Sequence, residues 1–92
     1  MEDFDDEEWA EMQKMYINHT CKELEKINAE LNLASIDSIR TFGHNIKGSG
    51  GMYGFDEVTD LGLQIETAAK EGDLDSIKSN LKHLEDFLQS KI

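Results

Sequence analysis

The chain has little of what would announce a partner or a compartment. Only nine of its 92 residues are Lys or Arg, against 20 Asp or Glu, for a formal net charge of −11. Binding a phosphate backbone relies on clustered Lys and Arg, so nucleic acid is not an expected partner. No apolar run approaches the roughly 18 residues a membrane span requires, and no membrane association is expected. The first eight residues hold six acids and no base, whereas a secretory leader opens on a basic segment. The single cysteine, Cys21, can close no internal disulfide, in keeping with a reducing compartment. A cytoplasmic location is the resulting expectation. Nothing alternates with a period of two beyond a few residues, which leaves no strand pattern, and proline is missing altogether.

Glycine is scarce except in one place. Five of the seven glycines fall between Gly43 and Gly54, in the run Gly-His-Asn-Ile-Lys-Gly-Ser-Gly-Gly-Met-Tyr-Gly. Such a run reads either as a flexible loop or as a helix face stripped of side chains so that something can approach. The flanks favour the helix: Ile36, Ile39, Phe42, Ile46 and then Gly50 or Tyr53 recur at three- and four-residue steps, one buried stripe running through the glycines. Placing that stripe inward turns His44 about 130° away from its centre, toward solvent. Arg40, Lys47 and Gly48 are then its neighbours at i−4, i+3 and i+4. Four glycines inside a helix cost on the order of 3–4 kcal/mol. Close helix packing can account for some of them, but Gly48 lies on the exposed side, where packing is not the reason.

The remaining chain reads as three more helices. Hydrophobic content of 38% beside charged content of 32% fits a single compact, mostly helical domain spanning residues 1–92. A first helix is expected over about residues 5–31, its stripe formed by Trp9, Met12, Tyr16, Leu24, Ile27 and Leu31 with Thr20 or Cys21 between, after an acidic start at 1–8 expected to fray. Ser35 is the expected N-cap of the histidine helix, about 36–53, and Asp56 or a neighbour that of a third helix over 56–71, closed by Gly72. Asp73 caps a fourth over 74–90, in which Leu74, Ile77, Leu81, Leu84 and Leu88 form the stripe. Connections this short make successive helices antiparallel, so the expected fold is all-α, an up-down-up-down four-helix bundle.

Charge singles out the same stretch. Residues 1–34 carry ten acids and three bases and residues 55–92 nine acids and four bases, but residues 35–54 hold only Asp37 against Arg40 and Lys47. An outward histidine can serve as nucleophile, general base or metal ligand. Metal binding needs partners at ligand spacing, which His19, His83 and Cys21 do not offer, so no metal and no cofactor is expected. General-base work needs a pocket and an orienting carboxylate. Accepting a group delivered by another protein needs neither, and Lys47, one turn away, can attract the oxygens of an incoming phosphoryl group. Lys47 and Arg40 are otherwise ordinary solvated cations, and His44 an ordinary surface histidine.

These residues resemble a known family. His44-Asn-Ile-Lys47-Gly48-Ser49-Gly50-Gly51, followed by Tyr53-Gly54-Phe55, is similar to the signature of the histidine-containing phosphotransfer (HPt) domain: His, any residue, an aliphatic, Lys, Gly, Ala or Ser and a small residue, with a further Gly a turn or two on. Leu61-Gly62 with Ile65-Glu66 resembles the family's third-helix pattern and Gly72-Asp73-Leu74 its last turn. The resemblance implies a four-helix bundle that carries a phosphoryl group on the imidazole and exchanges it with aspartates of response-regulator receiver domains, with a hybrid histidine kinase as a further partner. By position, His44 is the phosphoacceptor, Lys47 its charge partner, Gly48 the clearance for the receiver, and Arg40, Gly51 and Gln64 further docking positions. Such a carrier is not an enzyme by itself, and a bundle complete in four helices is expected to be a monomer, free-standing or part of a larger kinase. The alternative is a bundle that docks a receiver or other partner without being phosphorylated. The dimerising histidine module of a sensor kinase fits less well: it carries an acid and a proline just after the histidine, where this chain has Asn45 and no proline.

Overall fold

A computed structural model describes residues 5–32 and 35–92. Four helices follow one another, α1 (Asp6–Ala29), α2 (Ile36–Gly50), α3 (Asp56–Glu71) and α4 (Leu74–Gln89), with a 3-10 turn, Gly51–Tyr53, closing α2. No strand occurs among the described residues. Each helix starts and stops for a local reason. Asp5 and Glu8 form a reciprocal capping box at the head of α1, the Glu8 amide donating to Asp5 Oδ1 at 2.7 Å, and the acids Asp6, Glu7 and Glu8 complement the helix dipole. The acids at 5–8 form the cap and first turn of α1; residues 1–4 of the segment expected to fray lie outside the described residues. Asp73 caps α4 by accepting from the Ser76 amide, and Gly72, at φ 66°, stops α3 in the left-handed conformation.

Both expected N-cap positions are found, without side-chain capping bonds. Ser35 stands at the N-cap of α2, but its hydroxyl lies 2.6 Å from the Glu30 carbonyl and 2.9 Å from that of Asn32, so it braces the preceding connection. Phe55 takes the N-cap position of α3, without a side-chain bond, and Asp56 is the first helical residue.

Neighbouring helices run in opposite directions. Along α1 and α2, Gln13 reaches the Tyr53 carbonyl and Tyr16 the Ser49 hydroxyl, while further up α1 Ile27 shares a groove with Ser38 and Phe42. Gly43 lies against Glu66 of α3 and Gly50 against Thr59. Ile17 of α1 lies near Lys91, and Asn28 lies near Glu85 of α4. This is the up-down-up-down arrangement. Its core is a column of completely buried Ile39, Val58, Ile65, Ile77, Leu84 and Leu88. Ile17, absent from the expected stripe, is also buried, because α1 presents two faces: Tyr16 to the end of α2 and Ile17 toward Phe55 and Lys91. Thr20 is buried too, with its hydroxyl donating back to the Tyr16 carbonyl at 2.8 Å.

The closest approach is between α2 and α3. A Cβ on Gly43 would stand 2.7 Å from the Glu66 amide nitrogen, and one on Gly62 2.6 Å from that of Lys47. Only the bare backbone fits there, and the two helices touch main chain to main chain. At the far end, Gly54 at φ 84° turns the chain from the 3-10 turn into α3. That corner is held against α1 by an aromatic stack in which Trp9 and Tyr16 flank Tyr53, the Tyr16 and Tyr53 rings 4.5 Å apart.

Candidate functional site

Along α2 and the turn that closes it, Arg40, His44, Gly48 and Gly51 succeed one another at steps of four, four and three, so they share one face, and all four are exposed. A side chain at Gly48 would meet nothing within 4 Å. The strip of α2 beyond His44 is therefore bare backbone open to an incoming surface. The groove between α1 and α2, about 380 Å³ and lined by Lys26, Ile27, Thr41, Phe42 and Asn45 among others, does not include His44. His44 stands on an open face, with 65% of its side chain exposed.

What holds the imidazole comes from α3. Because the glycines bring α2 and α3 into backbone contact, Glu66 reaches across: its Oε2 lies 3.1 Å from His44 Nδ1 and its Oε1 2.7 Å from Lys47 Nζ. Lys70, one turn further on α3, places Nζ 3.9 Å from the same Oε2. Glu66 itself is buried, 7% exposed. The hydrogen bond from Lys47 holds its carboxyl below the usual carboxylate range, against burial, which pushes it up, and with smaller help from His44 and Lys70. An ionised carboxylate can only accept, so Nδ1 of a neutral His44 must carry the proton. Nε2 then keeps the lone pair and is the nitrogen left to meet an incoming group.

Sequence reasoning placed His44, Lys47 and Gly48 together and named Gln64 of α3 as a further docking position facing the same site. Gln64 is exposed and lies about 200° around α3 from Glu66. Glu66 and Lys70 were missed as site residues, although a signal was present. Val58, Leu61, Gly62, Ile65 and Ala69 mark the inward face of α3, and Glu66 is an acid in the middle of it. A carboxylate there must have a partner. The Lys47 ammonium is engaged with Glu66, and 34% of the side chain remains exposed.

Thr59 of α3 fixes the end of α2, its hydroxyl donating to the Lys47 carbonyl at 3.0 Å and accepting from the Gly51 amide at 2.8 Å. Ser49, beside Gly48, is tied to Tyr16. Among the described residues no group of His, Cys, Asp and Glu is disposed to hold a metal ion, and no helix is long and apolar enough to cross a membrane. Against models of protein families, the chain matches the one described as the Hpt domain over residues 11–90. No curated protein and no solved structure matches it.

Proposed function

Because this chain belongs to the Hpt domain family, and so to the phosphotransfer machinery of two-component systems, we propose that it carries a phosphoryl group on Nε2 of His44 and exchanges it with the aspartate of a response-regulator receiver domain. One observation carries the reading. A solvent-facing imidazole has its Nδ1 proton placed by a buried, ionised carboxylate, which leaves a nucleophilic Nε2 beside a strip of α2 without side chains. The receiver supplies what this open face lacks, namely the phosphoryl group and an enclosure around it, so the chain is a carrier and not an enzyme by itself. Lys47 is positioned to share its charge between Glu66 and the phosphoryl oxygens. Arg40, Gly48 and Gly51 line the docking strip, and a monomer suffices, since His44, Lys47, Glu66 and Lys70 all come from one chain.

The test is incubation with a panel of phosphorylated receiver domains, scoring transfer to this chain and locating the label. Transfer to His44 from at least one receiver is the expected result. Stable complexes without label would favour a module that only docks, and label on any other residue would reject the assignment.

A further inference from the structure

Resting on the carrier reading above, we propose that Thr59 is a positioning residue for partner docking: inserted into the last turn of α2, its hydroxyl sets the shape of the bare strip that a receiver surface must match.

In an unbroken α-helix the Gly51 amide would donate to the Lys47 carbonyl, four residues back. Here a hydroxyl from α3 stands between the two. The Gly51 amide donates to Thr59 Oγ1 at 2.8 Å, and Thr59 Oγ1 donates in turn to the Lys47 carbonyl at 3.0 Å. One side chain thus replaces one rung of the hydrogen-bond ladder and holds its two ends apart, the kind of insertion that bends a helix. At this point α2 ends and the 3-10 turn begins. The sequence makes room for the insertion, since a Cβ on Gly50 would stand 2.7 Å from the Thr59 amide nitrogen and 2.9 Å from its hydroxyl. The hydroxyl is also anchored from its own side: Val58, next to it on α3, is completely buried.

The opened turn is the one that the docking strip occupies. Gly48 and Gly51 are exposed and carry no side chain to lock their backbone, so the shape of this turn is fixed from behind, by Thr59. His44 lies one turn earlier, and its contact with Glu66 does not pass through Thr59. Loss of the hydroxyl therefore changes the surface offered to a partner and leaves the imidazole as it was. Without it, the Gly51 amide is free to close on the Lys47 carbonyl. A receiver shaped to the opened turn then finds the matching form only fractionally populated, and its apparent affinity falls by that fraction.

The experiment compares the full chain with Thr59→Val, which keeps the branched shape without the hydroxyl, and Thr59→Ser, which keeps the hydroxyl. Each is labelled by two donors: potassium phosphoramidate, which reaches His44 without docking, and a phosphorylated receiver domain that transfers to the natural chain. Thr59→Val is expected to take label from phosphoramidate at the natural rate. From the receiver it should need about five- to tenfold more donor for half-maximal rate, the worth of one hydrogen bond, with the maximal rate little changed. Thr59→Ser should restore the natural value. Thr59→Cys, close in size but a poor hydrogen-bonding partner, gives the same reading where the valine variant does not fold. A natural half-maximal concentration in the hydroxyl-free variant overturns the inference, as does equal slowing with both donors or failure of serine to restore; in each case the carrier reading stands. Failure of His44 to take label in the natural chain overturns the carrier reading, and the inference with it.

Discussion

His44 makes one hydrogen bond and leaves most of its surface in water, so His44→Gln is expected to abolish labelling while leaving helical circular dichroism and melting temperature nearly unchanged. The label on the natural protein should be lost in acid and kept in base, as a phosphoramidate is and a serine ester is not. His19→Gln and His83→Gln should label normally: His19 pairs only with Glu23 on its own helix, at 3.4 Å, and neither histidine has a lysine and a glycine one turn on. A collapsed fold in His44→Gln, or label persisting on it, would return the residue to an ordinary surface histidine. His44, Lys47 and Gly48 were legible in the sequence because one helix carries all three, and helical register alone settles their relation. Glu66 was not, because its distance from His44 depends on how α3 is rotated against α2. Periodicity marks which face of α3 is inward, but not which inward residue meets the histidine.

The glycines of α2 and α3 divide into two kinds that propensity cannot tell apart. Gly62 is seated on the backbone of α2, so Gly62→Ala must push the helices apart; overpacking of this kind costs about 1–3 kcal/mol and outweighs alanine's better helix propensity of about 1 kcal/mol. A lower urea midpoint, together with slower labelling as Glu66 is carried away from His44, is the expected outcome. Gly48→Leu has open space around it. Its melting temperature should hold or rise, since leucine is the better helix former, while transfer from a receiver slows because a branched side chain now occupies the docking strip. Acceptance of phosphate at the natural rate by Gly48→Leu would show that the strip is not a clearance. The element plan was readable from stripes such as Ile77, Leu81, Leu84 and Leu88, which are all buried on α4. The cap positions of α2 and α3 were legible too, but not the absence of a side-chain bond there, because that bond depends on which way a single side chain turns at a chain reversal.

Twenty acids against nine bases make the folded molecule repel itself. Two of those acids, Glu66 and Asp73, are nevertheless held below their ordinary range, Glu66 chiefly by Lys47 and Asp73 chiefly by the Ser76 hydroxyl. A carboxyl that binds its proton less readily folded than unfolded stabilises the fold above its unfolded pKa of about 4, and that contribution is lost as pH falls through the lower, folded value. Repulsion among the other acids eases over the same fall. The melting temperature is therefore expected to rise as pH drops from about 7 toward about 5 and to fall below about 4, with added salt raising it at pH 7 and having less effect at pH 5. A curve that falls steadily from pH 7 would mean that repulsion contributes little. The acceptor site has a dependence of its own on the whole fold. Its nucleophile and its carboxylate belong to different helices and meet only where Gly43 and Gly62 let the main chains touch. A chain still emerging from the ribosome, or one whose third helix has come loose, carries the histidine without the proton placement that arms it. On the carrier reading proposed above, such a chain would be a poor phosphoryl acceptor, so the proposed activity would itself report that α2 and α3 have docked.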